Sequence, residues 1–185
     1  MEAAVAAPPT VTVNEAVIRL LRDDITELEV RAFVYYAQPD LNLGSGFGGA
    51  IGVRGGASIQ KELNELAGDE PLPTGAVVTT EAGKLKADFI IHAVGPRFRE
   101  DDIDGKLLAT MRNILKAADE KGLGSLAFPA MGAGYYGIPA PVSARVMFEA
   151  LKGYLSEETG IREVNICLLD APQFKAFESA MAALS

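Results

Sequence analysis

The chain is poor in the residues that make covalent staples and metal centres: its 185 residues include one cysteine, Cys167, and one histidine, His92. A lone cysteine excludes an intrachain disulfide framework. Its place in the apolar run Val164-Asn165-Ile166-Cys167-Leu168-Leu169 marks it as a core residue rather than a nucleophile. One histidine and one cysteine also exclude a His/Cys metal site with three ligands. No spacing of carboxylates demands a magnesium ion. His92 falls inside an apolar strand and has no serine or cysteine partner in view, so it reads as a core side chain. No run approaches the roughly 20 apolar residues that cross a bilayer. Positive charge is short as well, with 17 basic against 25 acidic residues and a net charge of −8, which argues against a broad nucleic-acid surface. Residues 1–9 lack the basic start and apolar stretch of a secretory signal and are expected to form a disordered tail. Residues 10–185 suffice for a single domain, and a cytoplasmic location is expected.

What the chain has in quantity is glycine at two places. Gly44-Ser45-Gly46-Phe47-Gly48-Gly49-Ala50-Ile51 and Gly132-Ala133-Gly134-Tyr135-Tyr136-Gly137 each stand where a strand hands over to a helix. Glycine lets a ligand approach the backbone, and successive N–H groups at a turn or helix start make a concave anion site. Such donors are uncharged, so an acidic protein can still hold two linked phosphates. Neither segment is a lysine-bearing nucleotide loop, because no Gly-Lys-Ser or Gly-Lys-Thr follows. The GxGxxG match at Gly44 also lacks an acidic ribose partner about 20 residues on, so a dinucleotide fold is not supported.

Hydrophobic spacing gives the frame. Residues 10–13 and 16–21 are compatible with strands, the second with a helix too; 31–37, 76–80, 89–94, 126–128 and 164–169 read as strands. The seven glycines between Asp40 and Gly56 are expected to forbid a regular element through most of that stretch. Four helices follow: one from Ser58, whose hydroxyl could cap it, to Leu66, then 106–121, 142–155 with Pro139 or Pro141 at its start, and 172–184. Continuous apolar strands alternating with helices predict an α/β protein, a three-layer α/β/α sandwich about a central mixed sheet of about six strands. Ligand chemistry should gather at the carboxyl ends of its strands.

Four stretches together carry a family resemblance: Asp24-Ile25-Thr26, Gly44 to Ile51, Ile91-His92-Ala93-Val94-Gly95-Pro96, and Phe128-Pro129-Ala130-Met131-Gly132-Ala133-Gly134-Tyr135-Tyr136-Gly137-Ile138-Pro139. In this order and separation they resemble the macrodomains, which bind ADP-ribose. The resemblance implies that Asp24 accepts a hydrogen bond from the adenine amine and that the backbone of Ile25 contacts the same base. An ionised carboxylate suits that task, since it favours a donor edge and penalises a purine with a carbonyl there. Capping of the turn at Thr26 is the alternative role for Asp24. The resemblance further implies that Gly46, Phe47 and Gly48 wrap one side of a diphosphate and Gly132, Ala133, Gly134, Tyr135 and Tyr136 the other. The Tyr136 or Phe47 ring could cover the distal ribose and exclude water, or simply pack against the loop. Tight helix–sheet packing is the competing use of the glycines. No cofactor is implied; the implied partners are ADP-ribose or an ADP-ribosylated protein, with neither membrane nor nucleic acid.

The chain departs from the family at the distal ribose. Where many macrodomains have Val-Asn-Ala-Ala-Asn, this sequence has Val34-Tyr35-Tyr36-Ala37-Gln38, so Gln38 keeps an amide on a longer stem and two rings replace small or polar groups. An aspartate used with water in hydrolytic members aligns with Gly48. Leu169, before Asp170, stands where an aromatic residue often lies near the base, which leaves apolar contact there unless Phe174 substitutes; stacking is worth about 1–3 kcal/mol per base. The leading expectation is a binding module with weak or absent catalysis. The alternatives are an ADP-ribosyl hydrolase acting on protein-linked or acetylated ADP-ribose, with Gln38, Tyr35 or the substrate diphosphate positioning water, and a pocket drifted to another phosphorylated ligand or an interaction scaffold.

Overall fold

The computed structural model describes residues 6–184. The expected tail over residues 1–5 lies outside the described residues, whereas Pro9 is tied to the sheet by its carbonyl, which accepts the Leu20 amide at 3.0 Å. Seven strands, β1 (Thr10–Val13), β2 (Ala16–Leu21), β3 (Ala32–Tyr36), β4 (Val77–Glu81), β5 (Phe89–Ala93), β6 (Ser125–Phe128) and β7 (Glu163–Cys167), form one sheet in the order β1-β2-β7-β6-β3-β5-β4. The five inner strands are parallel, and β1 and β4 lie antiparallel at the two edges. All five inner strands therefore end on the same side.

The layers follow from the two-residue repeat of a strand. Every residue of β3 is buried. Ala32, Val34 and Tyr36 enter the core under α3 (Ile103–Glu120), α4 (Ala140–Leu155) and α5 (Ala171–Ala182). Phe33, Tyr35 and Ala37 enter the opposite core, with Ile51 of α1 (Gly46–Gly55) and Ile59 and Leu63 of α2 (Ala57–Leu66). Phe33 is fully buried, so its truncation to alanine would cost about 3–5 kcal/mol.

The glycine-rich stretch that reads as irregular is in fact helical: α1 runs through five of its glycines. Glycine costs up to about 1 kcal/mol against alanine in a helix. Close packing overrides that cost here, because a Cβ at Gly48 would lie 2.7 Å from the Leu43 carbonyl carbon and closer still to its oxygen, and one at Gly55 would meet Leu85 and the Ala82 carbonyl at 3.3 Å. Helix α2 begins at Ala57 behind Gly56 with no side-chain cap, so Ser58 does not cap it. The segment compatible with strand or helix at 16–21 is β2, paired with β1 and β7.

Candidate functional site

The carboxyl ends of the parallel strands bring the singled-out residues to one edge. Strand β3 delivers Tyr35, Tyr36 and Gln38; β6 leads into the 129–137 loop; β5 leads to Gly95-Pro96; β2 and β7, with Leu21 opposite Cys167, lead to Asp24 and Leu169. Between the first turn of α1 and the loop after β6 lies a cavity of about 370 Å³, lined among others by Tyr35, Gln38, Gly46, Phe47, Gly48, Ala133, Tyr135 and Tyr136. Pro129, Ala130 and Ser45 share the lining without having been singled out by sequence; their only signal is adjacency to the glycines. Asp24, Ile25, Gly132, Gly134 and Leu169 are not among the residues that line this cavity.

The two glycine segments present unused donors. Ser45 precedes α1 but makes no side-chain cap, and the amides of Gly46, Phe47 and Gly48 have no acceptor among the described residues. In the second loop the amides of Gly132, Gly134, Tyr135 and Tyr136 are likewise without an acceptor among the described residues. The Ala133 amide differs, since it donates to the Ala130 carbonyl at 3.2 Å. Gly46 and Gly134 have positive φ (59° and 81°) with no heavy atom within 4 Å of a built Cβ, so backbone conformation rather than packing calls for glycine there. A helix start adds its dipole, so this end of the cleft suits an anion.

Tyrosines form the wall. The Tyr36 hydroxyl donates to the Pro96 carbonyl, and its ring lies 4.6 Å from that of Tyr136. Tyr35 is buried, packs edge-on against Phe47 at 5.2 Å, and places its hydroxyl 3.4 Å from the Leu43 carbonyl. Burial pushes the Tyr35 phenol up to about 12 and raises Tyr36 further, with Tyr136 adding to both. Burial also raises Tyr136, against the opposing charge of Arg97. These phenols are neutral donors at physiological pH. Gln38 reaches toward the first loop, its Nε2 lying 3.1 Å from a built Cβ on Gly44. Among the described residues no carboxylate or imidazole lines the cavity.

Asp24 is already engaged. Its Oδ1 accepts from the Thr26 amide (3.0 Å) and hydroxyl (2.7 Å), capping the short 3-10 turn Ile25–Glu27, and its Oδ2 accepts from Arg54 Nη1 at 2.5 Å. Burial would raise this carboxyl, but the bonds from Arg54 and Thr26 and the Arg54 charge outweigh it and hold it below the usual carboxylate value. The capping role is thus present, and Arg54, near the end of α1, is a partner that sequence reasoning missed. Leu169 is exposed, and the Phe174 ring is occupied by the Arg22 guanidinium 4.5 Å above its centroid. His92 is buried with Nε2 2.9 Å from the Thr80 hydroxyl, and burial lowers its pKa to about 3. Cys167 is buried, and burial, then Asp23 and Asp24, push its thiol up to about 12. A concavity of about 410 Å³ at the opposite end of the sheet, between Asn14–Ala16 and the end of α4, lacks converging glycine loops. Among the described residues no helix is long and apolar enough to cross a membrane, and no three His, Cys, Asp or Glu cluster to hold a metal.

Comparison with known proteins gives a consistent picture. The Macro domain model matches residues 36–147. An uncharacterized protein of Saccharolobus solfataricus is 43% identical over 163 residues, 88% of this chain and 90% of that protein. Among solved structures, the Oceanobacillus iheyensis macrodomain with ADP superposes with a TM-score of 0.91 at 27% identity, covering 96% of each chain. The Trypanosoma brucei macrodomain in complex with ADP-ribose gives a TM-score of 0.77 at 27% identity, covering 88% of this chain and 68% of that one.

Proposed function

The chain belongs to the Macro domain family, and on that premise we propose that it binds ADP-ribose or a closely related adenosine diphosphate sugar, free or attached to a protein, without rapidly hydrolysing it. The observation that carries this reading is the meeting of unused amides from the first turn of α1 and from Tyr135 and Tyr136 of the loop after β6 around one cavity of about 370 Å³. That volume is at the lower end for ligand pockets. It suits the diphosphate and distal sugar, while the base lies outside, against Ile25 and Leu169, with Asp24 reading its amine. The two relatives solved with ADP and with ADP-ribose support the same ligand class.

In this reading Gly46, Phe47 and Gly48 donate to one phosphate and Gly132, Gly134, Tyr135 and Tyr136 to the other. Ala133 contributes wall rather than donor, because its amide is bonded within the loop. Gln38 offers an amide to the distal sugar. The missing carboxylate and imidazole in the lining favour retention over hydrolysis, since nothing there is suited to take a proton from water.

Calorimetry with ADP-ribose, ADP and AMP tests the reading. Loss of the second phosphate removes several charge-assisted bonds, so AMP should bind at least about tenfold more weakly than ADP-ribose. Equal weak binding of all three refutes it. Incubation at high protein concentration with an ester-linked ADP-ribosylated peptide should release no ADP-ribose over the time in which an active hydrolase clears it.

A further inference from the structure

The two tyrosines that replace polar and small residues of the family pattern differ in how their hydroxyls are used. Tyr36 spends its proton on the Pro96 carbonyl in a short bond and serves as wall. Tyr35 has only the Leu43 carbonyl, at 3.4 Å, well beyond the 2.5–3.0 Å of a good O–H···O bond. The residue is nevertheless buried, with 7% of its surface exposed, and forms part of the cavity lining. A buried hydroxyl whose one partner is stretched, beside a cavity, can exchange that bond for a shorter one to a ligand.

Its position adds to this. The Tyr35 hydroxyl lies against Gly48, within the space that a Cβ at position 48 would enter. The phenol thus stands where a side chain on the first turn of α1 would project. Phe47 on one side and His92 on the other, at ring centroid distances of 5.2 and 5.9 Å and both edge-on, hold the ring.

We propose that Tyr35 sets specificity at the distal end of the cleft by donating its hydroxyl proton to an oxygen of the group beyond the second phosphate. The inference rests on the ADP-ribose reading and deepens it by naming the residue that distinguishes a nucleoside diphosphate sugar from the bare nucleoside diphosphate. The thiol-free, carboxylate-free surroundings and a phenol held neutral up to about 12 make the group a donor to hydroxyl and ether oxygens rather than a base toward water. Distal groups with an acceptor oxygen within reach are selected; ADP, which ends at its phosphate, gains nothing from the phenol.

The test is calorimetry of wild type and Tyr35→Phe with ADP-ribose and with ADP, alongside thermal unfolding of both proteins. Tyr35→Phe should weaken ADP-ribose binding by roughly three- to tenfold, the effect of one neutral hydrogen bond, while ADP binding changes less than about twofold. Equal losses on both ligands, or none on either, overturn the inference while leaving the ADP-ribose reading standing. Wild type that binds neither ligand overturns both. A crystal of the wild-type protein with ADP-ribose gives a second readout that does not depend on the variant's folding: a distal sugar oxygen should lie within hydrogen-bond reach of the Tyr35 hydroxyl, and none within 3.5 Å of it, the limit of hydrogen-bond reach, refutes the assignment.

Discussion

Replacing Gly48 with alanine should destabilise the protein, although helix propensity alone says the reverse. Gly48 lies in the first turn of α1 with an ordinary helical backbone, so alanine would gain up to about 1 kcal/mol from propensity. Against that gain, the new Cβ would sit 2.7 Å from the Leu43 carbonyl carbon, closer to its oxygen and against the Tyr35 hydroxyl. Two of these neighbours belong to a planar peptide and have no rotamer to change. Overpacking costs about 1–3 kcal/mol and more where backbone must move. The net is a loss of about 2 kcal/mol, or about 4–8 °C in melting temperature for a domain of this size. Gly52→Ala in the same helix is the matched control: its nearest neighbour would be Leu43 Cδ1 at 3.9 Å, an ordinary contact, so that variant should gain about 0.5–1 kcal/mol. Urea denaturation followed by circular dichroism gives both midpoints, and unchanged slopes assign the shifts to stability. Equal shifts for the two variants, or a Gly48→Ala protein as stable as wild type, refute the packing argument. Gly48→Asp should likewise displace the Leu43 segment rather than install a water-activating carboxylate, leaving release of ADP-ribose from peptide undetectable.

Asp24→Ala should cost about 1 kcal/mol through the lost cap. It should also narrow the affinity gap between ADP-ribose and its hypoxanthine counterpart, measured by calorimetry. His92 has a native pKa of about 3 against 6.5 in the unfolded chain, so between those values the unfolded state binds the extra proton and stability falls as pH falls. His92→Gln should reduce the slope of stability against pH in that window by about 1.4 kcal/mol per pH unit, read from denaturant melts at several pH values. Asp24 and Asp119 have lowered native values, so the stability they contribute is complete above about pH 4 and is lost as pH falls through those lower values. The Cys167 thiol should resist alkylation at pH 8 in the native protein and react at once in urea, which mass spectrometry would record.

Much of the frame was legible because period and chemistry coincide. Strands β3 and β5 are apolar runs broken only by His92, and α3 and α4 have clean stripes with proline or glycine at their ends. Helix α1 was hidden because its propensity points away from helix, while the reason for its glycines lies in Leu43, Tyr35 and Ala82, contacts that spacing along the chain does not reveal. The edge positions of β1 and β4 depend on pairing rather than on local pattern. At the site, the residue types of both loops were readable, but which amides are spent was not. Ala133 is internally bonded while its neighbours are not. The Tyr36 link to Pro96 and the Asp24 link to Arg54 join residues 60 and 30 positions apart, beyond the reach of motif reasoning.

The grip of Arg54 on Asp24 gives α1 a second office. Its amino end carries the open amides of Gly46 to Gly48, and eight residues later its side chain fixes the carboxylate proposed to read the purine. At 1.5 Å per residue those positions are about 12 Å apart along a rigid rod. In the proposed reading the helix would serve as a ruler between base and diphosphate. A ligand whose spacer is shortened or extended by one phosphate can satisfy one end or the other, and selection by length follows from a single stiff element rather than from two loops adjusting independently.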